Sequence, residues 1–246
     1  MNANGVVFYR GPSVLDGKPI VGIVTGLGAT GSQNSKTGPM AQTWILREDV
    51  NPSDAIKSGG DASICGDCQH RSPDGNIGRS CYVVWWLGPM NVWKAFKSGA
   101  YMAASGQDLA DRMLGHYVRL GAYGDPAAIP YRAWLDVVRQ SSGSIGYTQQ
   151  WRTCDPMFAR LCMASVNSEA EKFTAKVRGW RTFRVRPWNG DVLDDEVICP
   201  ASNEAGHSST CQECQLCQGT TRQAKSVVIK AHGQRIRWFG ANEVQA

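Results

Sequence analysis

Cys199, Cys211, Cys214 and Cys217 lie within the nineteen-residue stretch CPASNEAGHSSTCQECQLC, the last three at intervals of two intervening residues. Thiols at that spacing can be aimed at a common point by one tight turn. Cys199 ends an apolar segment after Val197 and can supply a fourth sulfur. Four thiolates around one centre suit a structural zinc, at about 2.3 Å each, and suit an iron–sulfur cluster as well. A closed set of four leaves no open coordination position, so such a metal is structural before it is catalytic. A second group, Cys65, Cys68 and Cys81, opens with the CxxC spacing of a metal knuckle. Its fourth ligand stays open. His70 is close in sequence, but two residues from Cys68 is an awkward reach, and a surface histidine is the plainer role. Cys154 or Cys162 are alternatives. His207 lies inside the first stretch and can swap in, though four cysteines make it unnecessary.

Other chemistry is poorly signalled. Asp125 and Asp155 invite reading as an acid/base pair. Each precedes a proline and a helix, which is also the pattern of a helix N-cap, and capping is the favoured role. His116, His207 and His232 are each isolated. HExxH, HxH and GxSxG are absent, so zinc and serine hydrolases lose their usual signals. The loop GATGSQNSKTGPM lacks a phosphate-binding P-loop pattern. Cys154 and Cys162 are expected as small buried thiols. The CxxxCxxC loop of radical S-adenosylmethionine enzymes is missing, although the alternation of elements suits their barrel.

The bulk numbers are those of an ordinary folded chain: 246 residues, 42% hydrophobic, net charge +5. No apolar run approaches the roughly eighteen residues of a membrane span. The first residues show no secretory signal pattern. Nine cysteines without such a signal point to a reducing, cytoplasmic compartment and to metal ligation before disulfides. The mild positive charge permits nucleic-acid contact without requiring it. Arg178, Arg181, Arg184 and Arg186 flank Trp180, Phe183 and Trp188, and basic residues with aromatics can track a phosphate backbone. A solvated sheet face is the plainer expectation. Nine tryptophans supply core and leave some for a binding face.

Strands are expected over 5–10, 20–27, 42–47, 81–87, 116–124, 144–151, 162–167, 181–187, 196–199 and 226–233, with 235–240 as a possible further partner. Helices are expected over 49–59, 88–99, 106–115 and 130–140, and after the capping pair Ser168/Glu171, where Ala170, Phe173 and Val177 form the apolar face. From about residue 101 strand and helix alternate, which predicts a parallel sheet with covering helices. The expected fold is one α/β domain of repeated β/α units closing into a barrel or partial barrel with metal-stapled cysteine loops. The N-terminal strands and knuckle take 1–100, the β/α units 101–198, and the metal loop and final strands 199–246. In a barrel, sites gather at the C-terminal strand ends, where Cys199, Asp125, Asp155 and His232 fall.

The phrases GVVFYRGPS, KTGPMAQTWILR, DASICGDCQHR, CYVVWWLGPMNVWKAFKSGAY, VRLGAYGDPAAIP, GYTQQWR and CPASNEAG…TCQECQLCQG span nearly the whole chain. Together they resemble a family of cysteine-rich early proteins of tailed phages that includes recombination directionality factors of large serine integrases of the actinophage type. The resemblance implies a protein that is not an enzyme. Such a factor binds the integrase already seated on its recombined attachment sites, biases its mobile coiled-coil arm, and switches it from integration to attL × attR excision. Differential affinity for one arm position is the physical basis of such a switch. DNA is then contacted through the integrase. The segment around Trp85, Trp86, Trp93 and Phe96, with Trp238 and Phe239, is the expected partner surface, with core packing the competing role for each. Two other classes stay open: a metal-stabilised DNA-binding accessory protein of phage replication or regulation, and an iron–sulfur enzyme.

Overall fold

The computed structural model describes residues 4–28, 31–32, 34–72, 78–233 and 235–239. Ten strands form one mixed, mostly parallel sheet: β1 (Gly5–Pro12), β2 (Pro19–Thr25), β3 (Ala41–Arg47), β4 (Met102–Ala103), β5 (Tyr117–Tyr123), β6 (Gly143–Thr148), β7 (Met163–Val166), β8 (Thr182–Arg186), β9 (Glu196–Ile198) and β10 (Ser226–Lys230). Their order is β4-β1-β2-β3-β5-β6-β7-β8-β10-β9. The β1–β2–β3 meander is antiparallel, and every other pairing is parallel. Among the described residues the edge strands β4 and β9 do not pair with each other.

Among the described residues seven short α-helices connect and cover the strands: α1 (Pro52–Lys57), α2 (Ala62–Cys65), α3 (Gly88–Lys97), α4 (Gly106–Met113), α5 (Tyr131–Val138), α6 (Glu169–Val177) and α7 (Cys211–Cys214). Their starts follow local chemistry. The Asn51 side chain accepts from the Asp54 amide at the start of α1, where Pro52 loses no bond. Ser168 caps α6 by accepting from the Glu171 amide. The Glu171 carboxylate reaches one residue further back than a capping box requires, to the Asn167 amide.

The central strands read as apolar runs because both faces are covered. On β7, Ala164 and Val166 join the larger core, whereas Met163 joins a second cluster with Ile145, Cys199, Cys217, Val227 and Ile229. One face therefore packs on helices and the other under the cysteine-rich loop that follows β9.

Three expected elements differ. Residues 81–87 form no strand. The Ser80 and Cys81 amides both donate to the His70 carbonyl, and a turn at Val84–Leu87 follows, so this apolar run is held to the knuckle and not to the sheet. Ile236–Trp238 is a 3-10 turn and not a strand; residue 240 lies outside the described residues, as does most of the turn at 73–78. On α6 the buried positions are Lys172 and Ala175, while Phe173 and Val177 are each 72% exposed. The β8 face beneath this helix carries Arg184 and Arg186, paired to Glu196 and Glu204. Lys172 turns inward to join Asp195 and Glu196, and that ion pairing outweighs the apolar stripe in setting the helix's rotation.

Candidate functional site: a cavity between two cysteine groups

The first cysteine group hangs on a buried carboxylate. Asp61, at the head of α2, holds Arg71 at 3.0 Å and Arg79 at 2.8 Å, and both Asp61 and Arg79 are almost wholly buried. This ties together the chain just after Cys68 and the chain just before Cys81. The turn after Cys65 is fixed by Gly66 at φ +58, where a Cβ would meet the Gln150 side chain at 2.5 Å. Gln150 itself donates to the Cys65 carbonyl at 3.1 Å. Cys65, Cys68 and Cys81 then share one cavity wall with His70. The His70 ring bonds Ser80 through Nδ1 at 3.0 Å and stacks on Phe239. Burial pushes the Cys65 thiol well up and the Cys68 thiol to about 12, with the neighbouring thiols adding to both. Without a cation they are neutral thiols and poor nucleophiles.

The second group is assembled from three places. Cys199 follows β9, its amide donating to the Val228 carbonyl at 2.9 Å. Thr210 and Glu213 form a capping box that starts α7 and presents Cys211 and Cys214. Gln215 in the left-handed region then turns the chain to bring in Cys217. The loop at 34–40 fastens this turn, because the Cys211 and Gln212 amides donate to the Lys36 and Thr37 carbonyls. Cys199, Cys211, Cys214 and Cys217 surround one small pocket, and burial pushes Cys217 up to about 12. In donor chemistry both groups fit a soft ion. In geometry, among the described residues, no three or more Cys, His, Asp or Glu side chains are set to hold one.

Between the two groups lies a cavity of about 170 Å³, open at one side. It lies toward the C-terminal strand ends, lined by Tyr147, Phe183, Val185 and Ile229 of the smaller cluster and by Tyr123 of the larger core, and Cys211 reaches it from the second group. Its floor depends on an irregularity in β5. Gln42 and Trp44, two apart, face Arg119 and Tyr123, four apart, so β5 bulges against β3. The Thr43 hydroxyl fills the gap, donating to the Arg119 carbonyl at 3.1 Å and accepting from the Gly121 amide at 2.8 Å. Gly121 has φ +73, and a Cβ there would meet the Gly124 carbonyl and Pro126 at 2.8 Å. A regular strand turns alternate residues to one side; the bulge lets Gly121 through Asp125 line the cavity in succession.

Three polar groups on this floor stand out. The Asp125 carboxylate accepts from the Thr148 hydroxyl at 2.7 Å, the Ala127 amide at 2.9 Å and the Gln149 amide at 2.7 Å. Burial still pushes it up to about 6. The Tyr123 hydroxyl is buried with no hydrogen-bond partner among the described residues. Arg119 donates to the Tyr82 hydroxyl at 2.6 Å, and its buried Nε has no hydrogen-bond partner among the described residues. Burial pulls the Arg119 guanidinium down, but the Tyr82 and Tyr147 phenols and the Cys211 thiol outweigh it and the net direction is up.

Asp125 and Asp155 are both helix caps; Asp155 accepts from the Met157 amide at 2.9 Å and lies away from the cavity. Of the four residues expected at strand ends, Asp125 and His232 share the cavity, and Cys199 lines the smaller pocket. Cys162 is fully buried in the larger core, and Cys154 packs against it. His207 bonds Asn203, outside both lined spaces. The basic residues of β8 are not a phosphate track. Arg184 and Arg186 are each 3% exposed and ion-paired, and Arg181 donates to four carbonyls.

Of the six aromatics expected on a partner surface, Trp86 is 46% exposed and Trp85 is buried beneath it, edge to face at 4.5 Å. Trp93 and Phe96 pack against the core, the former donating to the Arg47 carbonyl at 3.1 Å. Trp238 is half-buried, and Phe239 lines the cavity. Tyr82 and Leu87, on the same segment as Trp86, are exposed.

Sequence reasoning passed over Lys36, Arg119, Tyr123 and Tyr147. The available signal was YVRLGAYGD, a strand pattern broken by two glycines three apart. Compared with protein families, with curated proteins and with solved structures, the chain matches none.

Proposed function

We propose that this protein is a recombination directionality factor. In this reading it binds a phage large serine integrase and switches it from integration to attL × attR excision, performing no catalysis itself. The sequence resemblance brings the reading forward, and the exposed Trp86 supports it. That indole stands on Trp85 with Leu87 and Tyr82 close in sequence, a rigid aromatic and apolar surface of the kind that anchors protein interfaces. Its occupant would be the integrase's coiled-coil region, presenting an apolar helical face. Engagement of DNA through the integrase agrees with the basic residues of β8 being spent on internal ion pairs.

The two cysteine groups would serve as staples, with zinc as the ion their donor set suits best. Cys199, Cys211, Cys214 and Cys217 would hold one ion, and Cys65, Cys68 and Cys81 would be ligands at the other. No step of the proposed switch is routed through a metal. The curved β/α arrangement of a partial barrel belongs to this reading as its scaffold.

The test is recombination with the integrase encoded alongside this chain, on attL × attR and attP × attB substrates. Activation of the first and inhibition of the second is the expected result. An unchanged outcome in both reactions would overturn the proposal.

One observation favours a second reading. Three thiols on the wall of a cavity at the C-terminal strand ends is an arrangement that an iron–sulfur enzyme on a barrel-like sheet would use. Protein purified without oxygen would then be brown and absorb in the visible blue, whereas a zinc-stapled partner protein is colourless.

A further inference from the structure

The cavity carries cationic side chains, not all of which are paired within the fold. Lys36, Arg79 and Arg119 line it against a single carboxylate, Asp125. That carboxylate already accepts three hydrogen bonds. Arg79 is neutralised by Asp61. Arg119 has no carboxylate within ion-pairing distance among the described residues. It offers one bond to a phenol and a buried Nε without a hydrogen-bond partner among those residues. A guanidinium in that position has donors to spare for a planar or tetrahedral oxyanion. Lys36 lines the same cavity, and the Cys211 thiol lies within electrostatic reach of both cations. Much of the remaining lining is apolar. Tyr147 and Phe183 lie with ring centroids 4.3 Å apart, beside Val185 and Ile229.

We propose that this cavity binds a small organic anion, a flat apolar body bearing one phosphate or carboxylate, with Arg119 and Lys36 taking the anionic head. The body lies against Tyr147 and Phe183. The volume limits the ligand to about the size of a single substituted ring. The site stands whether or not the protein acts on an integrase.

The competing account is that Arg119 balances the charge of metal-bound thiolates at Cys211. Titration calorimetry of the full-length protein as purified separates the two, with phenyl phosphate as probe and inorganic phosphate and phenol as its halves. Phenyl phosphate is expected to bind saturably and more tightly than either half. Arg119→Gln and Lys36→Ala should each weaken it about tenfold or more, as loss of a charge-assisted contact does, at unchanged metal content. The Lys36 carbonyl that holds α7 is untouched by Lys36→Ala, so that variant decides the question if Arg119→Gln fails to fold. Absence of saturable binding overturns the proposal. So does phenyl phosphate affinity unchanged in Lys36→Ala, or an Arg119→Gln protein that loses metal and keeps its affinity.

Discussion

Arg184 on β8 reaches past β10 to fork onto Glu196 at the start of β9, with Nε and Nη2 at 2.7 and 2.6 Å from the two carboxylate oxygens. Lys172 Nζ approaches the same carboxylate at 3.5 Å from above. Breaking a buried pair by removing one partner leaves an uncompensated charge, at about 3 kcal/mol or more. Glu196→Ala is therefore expected to lower the unfolding free energy, measured by denaturant titration, by an amount of that order. The double change Arg184→Met with Glu196→Leu should recover much of the loss, because a well-packed apolar pair offsets the missing bridge. If Arg184 instead served DNA, Arg184→Met with Glu196→Leu would keep stability and lose DNA affinity. The structure predicts no change in DNA affinity.

That pair also shows where sequence reasoning succeeds and fails. The alternation along TFRVR places Arg184 and Arg186 on one face correctly, yet their carboxylate partners lie far enough along the chain that no local pattern links them. Asp125 and Asp155 are legible as caps because a cap is a matter of three or four consecutive residues. The apolar run at 81–87 fails as a strand because its backbone partner is His70, in a loop, which periodicity does not register. The cavity is the least legible part. It depends on a bulge at Gly121 and on residues from Lys36 to Phe239 brought together by the sheet.

The Asp125 carboxylate gives a pH signature. Burial raises it from 3.8 to about 6, against the hydrogen bonds that lower it. A raised acid binds its proton more tightly folded than unfolded. Its contribution to stability is complete below about pH 4 and is lost as pH rises through 6. Each pH unit between the two values is ~1.4 kcal/mol, which makes the effect about 3 kcal/mol. His70 and His232, both lowered by burial, tilt stability the other way in the same range. Asp195, held down to about 2 beside Lys172 and Lys176, acts only at more acid pH. The measurement is therefore a comparison of unfolding free energy for wild type and Asp125→Asn between about pH 4.5 and 7.5. Wild type should lose stability relative to the variant as pH rises. Parallel curves would remove Asp125 as the cause.

Loss of one thiol separates a staple from four idle cysteines. Cys214 presents its sulfur from α7 into the small pocket shared with Cys199, Cys211 and Cys217. Cys214→Ser changes one soft donor and little volume. Under the staple reading it should lower the metal content of the purified protein and its melting temperature together, and a chelator should do the same to wild type. Protease cleavage should then begin between Cys199 and Cys217. Metal content and melting temperature both unchanged in Cys214→Ser would leave these thiols as ordinary packing groups.

Trp86 and Trp93 lie seven residues apart and answer different questions. Trp93 packs against the core and donates to the Arg47 carbonyl at 3.1 Å, so Trp93→Ala is expected to cost about 3 kcal/mol of stability. Trp86 rests edge-on against Trp85 with nearly half its surface in solvent. Trp86→Ala should change stability by about 1 kcal/mol or less. If this surface docks an integrase helix, the same change should weaken integrase binding about tenfold or more, as truncation of an interface hot spot does. Activation of attL × attR recombination should then need correspondingly more protein. A Trp86→Ala protein with full affinity and full activation would move the docking surface elsewhere on the molecule, and the exposed Phe173 and Val177 of α6 would be the next positions to substitute.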